Sequence, residues 1–251
     1  MGTRVRASGT KVDHIAKTYS AEVRRGLLGI HFLNTENARA ENNYAPGKQA
    51  AKGIVVGSPV FTDSYASIKG RLNYIQSGMA ETDEMTVFCI ARSGDTGLAG
   101  ATRPSFLGTE QGAAAAGGTS SGINMYMTSA GGGLVSFTAG YGNNDADRTN
   151  LVCSLSRANI TTFALFVATV SAAGITFRDV TNNRTNTVTP PAGLPRRRSV
   201  NQLRLGSCFN SFDGFGDLAL VQVHDVVLTP TEISAQIAQH RKYALSKGMV
   251  V

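Results

Sequence analysis

The chain has 251 residues, of which 42% are hydrophobic and 16% charged, and it carries 28 glycines. Charge below the roughly 25% usual in soluble domains, with glycine above its usual share of about 7%, excludes a long helical bundle or a disordered tail. It suits a turn-rich β protein with room for a large core, one unit or two small ones. The formal net charge of +7 comes from scattered Lys and Arg, clustered only at Arg24-Arg25 and at Arg196-Arg197-Arg198. No finger, helix-turn-helix or aromatic RNA-binding signature accompanies it, so no specific nucleic-acid partner is expected.

Residues 1–50 are polar and basic, with Lys11, Lys17, Arg24, Arg25 and Arg39, and only Gly26–Leu33 reads as a strand. Two readings stand: a first strand with polar flanks, or an arm that docks onto a neighbouring subunit. The start, Met1-Gly-Thr-Arg-Val-Arg-Ala-Ser, lacks the apolar run of a secretory signal. Nothing approaches the roughly 18 apolar residues of a membrane span, so the expectation is a soluble protein made in a cytoplasm, without membrane insertion.

Residues 51–251 read as one β-sandwich. Short apolar runs between turn residues predict strands near 54–61, 65–69, 72–76 and 85–92. Met85–Ala91 is apolar on both faces, which predicts a central strand covered on both sides. Residues 94–122 dissolve into Gly, Ala, Ser and Thr, and are expected to build no core. Further strands are predicted near 123–128, 133–139, 151–155 and 163–170. A hairpin follows, 174–181 with 184–189, turning through Asn182-Asn183. Strands near 202–209 and 217–227 complete the β part. A helix from Pro230 to about Leu245 is signalled by a Thr229 cap, proline in the first position and a Thr-x-x-Glu capping box to Glu232. Its stripe of Ile233, Ile237, Ala244 and Leu245 places it on the outside of the sandwich.

Candidate chemistry is sparse. Cys89, Cys153 and Cys208 stand in apolar or small-residue surroundings without metal spacing, and read as buried free thiols. Glu81-Thr-Asp-Glu84 places Glu81 and Asp83 on one strand face. Glu84 falls on the other, so the carboxylate set of retaining hydrolysis, with oxygens roughly 5–5.5 Å apart, is incomplete. The segment is expected to be a solvated turn, and no catalytic residue is assigned. His224 and Asp225 point to opposite faces and His240 lies in the helix, so no Ser-His-Asp arrangement can be built. Asn143–Asp147 offers oxygens of the kind calcium takes, but lacks the Gly and distant Glu of an EF-hand loop; a plain polar loop without cofactor or metal is expected.

A ligand site remains. The chain has no Trp, which weakens any stacking platform for a sugar. Tyr126, Tyr141, Asn143, Asn144, Asp145 and Asp147 lie in or beside loops, where binding residues concentrate. Arg196, Arg197 and Arg198 are expected to form an exposed basic tip able to meet anionic polysaccharide or an acidic subunit face.

The closing segment carries a family resemblance. Gly216, Asp217, Val223, Asp225, Leu228, Thr229, Glu232 and Ile233 fall where concanavalin A-like and laminin-G-like jelly rolls have their last strand and capped helix. Upstream, Gly57-Ser-Pro-Val-Phe61, Gly70, Asn73-Tyr-Ile-Gln-Ser-Gly78 and Met85–Arg92 look like the family's early strands, so the resemblance covers roughly residues 54–246. It implies an all-β jelly-roll sandwich with a short C-terminal helix. Members are mostly binding or structural modules, many of them on bacteriophage tails and fibres. By that analogy the expectation is a non-enzymatic virion protein of a tail tip or tail fibre. It would be a homo-oligomer, a trimer by analogy, partnered by other virion proteins and meeting a polysaccharide or protein receptor on the host surface. The alternatives are a capsid-surface decoration protein, or a carbohydrate-binding or glycan-hydrolysing module of the same fold.

Overall fold

The computed structural model describes residues 19–251. The elements run β1 (Leu27–Phe32), α1 (Asn37–Glu41), β2 (Ile54–Val56), β3 (Val60–Phe61), β4 (Ala66–Lys69), β5 (Tyr74–Ala80), β6 (Met85–Ser93), β7 (Ser105–Gly108), β8 (Gly112–Ala113), β9 (Thr119–Ser120), β10 (Ile123–Thr128), β11 (Leu134–Tyr141), β12 (Thr149–Ser156), β13 (Ala164–Ser171), β14 (Gly174–Asp179), β15 (Arg184–Val188), β16 (Gln202–Leu205), β17 (Phe215–His224) and α2 (Pro230–Ser246). Two antiparallel sheets face each other. The first has the order β15-β14-β13-β6-β17-β4-β3, and the second β12-β11-β10-β7-β16-β5-β2. The fold is an all-β, concanavalin A-like jelly-roll sandwich closed by a C-terminal helix.

Alternation along the strands builds the core. Met125 and Met127 of β10, Phe137 of β11, Phe166 of β13 and Phe177 of β14 point between the sheets and are fully buried. β6 is central in its sheet, as its two apolar faces predict. Val87 and Cys89 enter the core between the sheets, whereas Phe88 and Ile90 face the other way, under the helix and the first described segment. β17 is the longest strand. It pairs with β6 on one side, while on the other its first half takes β4 and its second half takes β1.

Residues 94–122 depart from expectation. Phe106 and Leu107 of β7 are fully buried, as is Leu98, and β7 sits between β10 and β16 in the second sheet. A four-residue strand with two large apolar side chains is enough to fill the centre of the core, and averaging over a Gly/Ala-rich stretch hides it.

α2 starts as its sequence signals: Glu232 N–H donates to Thr229 Oγ1 at 3.3 Å, and Thr229 N–H donates back to Glu232 Oε2 at 2.8 Å. Its buried face is Ile233, Gln236, His240 and Ala244, whereas Leu245, assigned to the stripe, is exposed. Half of that face is polar because it meets polar groups. Gln236 Oε1 accepts from Val23 N–H (3.2 Å), Gln239 Oε1 accepts from Glu22 N–H (2.8 Å), and Gln239 donates to Ser20 O (2.7 Å). Arg25 completes the seam on Glu232 at 2.6 Å. Of the segment 1–50, residues from Tyr19 onward therefore lie along the sandwich, with β1 inside its sheet; Lys11 and Lys17 lie outside the described residues.

Candidate functional site

One end of the sandwich gathers the loops that follow β5, β7 and β11 and the segment leading into β16. Two buried arginines hold them together. Arg197 donates to four oxygens: Thr119 O (2.7 Å), Gly117 O (2.7 Å), Asn143 O (3.1 Å) and Asp145 Oδ1 (2.8 Å). Arg196 donates to Gly140 O and to Glu81 Oε1, both at 2.6 Å, and its guanidinium lies 5.2 Å from the Tyr141 ring centroid. The exposed basic tip expected at 196–198 is thus corrected. Arg196 and Arg197 are buried, and only Arg198 reaches solvent, where it meets Asp83 at 3.1 Å. Four backbone carbonyls and two carboxylates supply the acceptors the two buried guanidinium groups require.

Glu81 is likewise not part of a solvated turn. Its side chain is fully buried; Oε1 takes Arg196, and Oε2 accepts from Thr109 Oγ1 (2.5 Å) and Ser199 N–H (3.1 Å). Both oxygens are engaged in a closed network.

Above these struts sits the loop 142–148. Asp147 accepts from the backbone N–H groups of Asn143 and Asn144 (2.8 and 2.9 Å) and from Asn143 Nδ2 (2.8 Å). Those bonds, the Asn144 N–H first, hold its carboxyl below the usual carboxylate range. Asp145 is depressed too, chiefly by Thr119 N–H and hydroxyl and then by Arg197. Among the described residues no group of three or more His, Cys, Asp or Glu is placed to hold a metal ion. Asn143, Asn144, Asp145 and Arg148 stand exposed at the tip, with Arg148 donating to Thr119 Oγ1 at 2.7 Å. The result is a rigid polar rim presenting amide, carboxylate and guanidinium groups.

The two tyrosines part company. Tyr141 points into the core and donates to Ser171 O at 2.8 Å; burial pushes its hydroxyl up to about 12. It supports the rim from beneath. Tyr126 lies elsewhere, half-buried on the second sheet 4.9 Å from Phe212, with Arg103 stacked 4.5 Å from the Phe212 ring. Sequence reading missed Glu81, Thr109, Thr119 and Ser199 as partners of the rim. Thr119 and Glu81 lie 78 and 115 residues from the arginines they meet, Ser199 meets Glu81 across 118, and backbone carbonyls as acceptors leave no mark in composition.

The three cysteines are free and buried, as expected, and burial raises the thiols, Cys208 to about 12. Among the described residues no helix is long and apolar enough to cross a membrane.

The fold and rim define a jelly-roll domain with loop-borne polar groups at one end. No family model matches the chain, and no curated protein matches it. Solved structures do. The binding domain of botulinum neurotoxin DC in complex with SialylT superposes with a TM-score of 0.58 at 8% identity, over 85% of this chain and 51% of that one. The botulinum neurotoxin serotype D binding domain gives 0.57 at 8%, over the same 85% and 51%. The Trypanosoma rangeli sialidase in complex with sialic acid gives 0.56 at 12%, over 91% and 37%. The chain spans about half the length of the toxin domains and less of the sialidase. At such identities the likeness is one of fold.

Proposed function

We propose that this protein is a non-enzymatic recognition module that binds a glycan or glycan-bearing receptor on a cell surface through the rim. The observation that carries it is the loop 142–148 with its exposed Asn143, Asn144, Asp145 and Arg148, locked by the buried Arg197. Preorganised polar groups on a rigid edge bind hydroxyl-rich ligands without losing entropy on ordering. The fold likeness to a toxin binding domain and to a sialidase supports a recognition role over a purely architectural one. A hydrolytic role is set aside because Glu81 spends both oxygens on Arg196, Thr109 and Ser199. The test is binding of the full chain to arrayed bacterial surface glycans, with Asn144→Ala and Arg148→Ala as rim variants. The reading expects binding by the parent chain, at least tenfold loss in the variants and no cleavage of bound glycans; unchanged binding in both variants, or cleavage abolished by Glu81→Gln, would overturn it.

We place the module on a bacteriophage virion, at a tail tip or fibre, as a homo-oligomer among other virion proteins. The support is the Gly/Ser/Thr/Asn-rich texture and the polar leading segment. Because β1 lies within residues 1–50, the informative deletion is 1–18. It should leave a folded domain that no longer joins particles, and normal incorporation would remove the docking role.

A further inference from the structure

α2 covers the outer face of the first sheet over β6, β13 and β17, but stops short of β14 and β15. Between the Ser234–Arg241 flank of the helix and that hairpin runs a cleft of about 670 Å³. Arg178, Arg184 and Arg241 line it, together with the hydroxyls of Thr181, Thr185 and Ser234. The one acid among the described lining residues, Asp179, is buried and consumed: Oδ2 accepts from Arg157 (2.7 Å) and Asn182 Nδ2 (2.8 Å), and Oδ1 accepts from Asn182 N–H (3.1 Å). Elsewhere arginines such as Arg71, Arg92 and Arg157 each meet a carboxylate. Among the described residues Arg178 and Arg184 do not. Arg184 donates to Ser156 O, Arg241 donates to Val251 O and Val180 O, and the Arg178 side chain has no hydrogen bond or ion pair among the described residues.

Two guanidinium groups without counter-charge among the described residues, Arg178 and Arg184, with Arg241 beside them on one cleft, call for an oxyanion, which arginine takes in forked, charge-assisted hydrogen bonds. The rest of the lining narrows the class. Hydroxyls match sugar hydroxyls, and Val180 and Ile237 give an apolar wall for the carbon face of a ring. Among the described residues no aromatic side chain lines the cleft, so none offers a nucleobase a stacking face. We propose that this cleft binds an acidic glycan segment, its carboxylate or phosphate held by Arg178, Arg184 and Arg241. The proposal rests on the glycan-recognition reading, but it names a second surface, remote from the rim in sequence, and a charged ligand.

The test is titration calorimetry of the full chain with three probes: an oligogalacturonate, its methyl ester, and a glycerol-phosphate oligomer carrying sugar. Arg178→Gln and Arg184→Gln are the cleft variants, and unchanged thermal midpoints confirm their folding. The expected result is binding of at least one acidic probe, with tenfold or greater weakening by methyl esterification or by either variant, and no effect of Asn144→Ala; which acidic probe binds distinguishes carboxylate from phosphate. Equal binding of acid and ester, no binding of either acidic probe, or full affinity in both cleft variants overturns the proposal. Binding lost in Asn144→Ala but kept in the cleft variants would sink the cleft and leave the rim reading standing; the reverse pattern supports the cleft and leaves the rim to its own test on arrayed glycans.

Discussion

Arg196 and Glu81 form an ion pair with both side chains almost completely buried, at 2.6 Å. Each charge is tolerable only through the other, so Glu81→Gln should cost about 3–5 kcal/mol by stranding a buried guanidinium. The urea midpoint measures it, and a loss below about 1 kcal/mol would mean that Arg196 finds another partner or water. Gly118 is a second single-residue test. Its φ is +73°, and a Cβ there would lie 2.6 Å from Asp145 Oδ1 and 2.8 Å from Arg197 Nη2. Gly118→Ala should therefore destabilise by about 1–3 kcal/mol through backbone strain and displacement of Arg197 from its acceptors, again read from a denaturant midpoint. Sequence reading found the arginine run and the Gly-rich stretch, but assigned one to solvent and the other to nothing. They are two halves of one device, because only a side-chain-free backbone lets the guanidinium reach Gly117 O and Thr119 O. Separations of 78 and 80 residues hide such pairing from any local pattern.

At the scale of elements, α2 was the most legible piece. Cap, first-turn proline and capping box are local chemistry and act locally; Thr229→Ala should cost about 1 kcal/mol, measured as a drop in thermal midpoint, and no change would show the cap to be replaced by water. Its buried face was not legible, since the polar side chains there pair across elements. His224 Nδ1–H donates to Arg25 O at 2.8 Å, so its Nε2 accepts from Gln222, and Gln236 donates to His240 Nε2 at 3.3 Å. Phe88 lies between the two rings, 6.0 and 5.2 Å from their centroids. Burial, then the neighbouring His224, lowers the His240 pKa from 6.5 to about 3; burial also lowers His224 and His31. The unfolded chain thus takes up protons below pH 6.5 that the folded chain refuses. Stability is complete above that pH and falls as pH drops toward 3. Glu232, held near 2 by Arg25 and then by Thr229, adds a second loss as pH falls from 4.5 to 2. The thermal midpoint should therefore begin to fall near pH 6.5, and His240→Gln should flatten the limb between 6.5 and 4.5. A midpoint flat down to pH 4.5 in the parent chain would contradict the buried neutral histidines.

For the molecule as a whole, strand positions and fold class were readable because alternation and turn residues recur along most of the chain. β7 escaped, being four residues long inside a stretch whose average composition is that of a loop. The geometry of the rim and of the cleft escaped for a different reason: they are sums over distant loops, and a surface of that kind has no sequence period. That Asn143, Asn144, Asp145 and Asp147 lie in a loop was legible because a polar run between strands marks a loop tip. Arg178, Arg184 and Arg241 were not, because only the packing of α2 against a hairpin makes them neighbours. β17 carries one more consequence. It lies in the middle of its sheet, yet Asp217 follows its partner Arg92 by 125 residues. A nascent chain must hold β6 and β4 with open edges while the whole intervening sheet is synthesised, so the ribosome and its chaperones, rather than the finished domain, meet this protein at its most vulnerable.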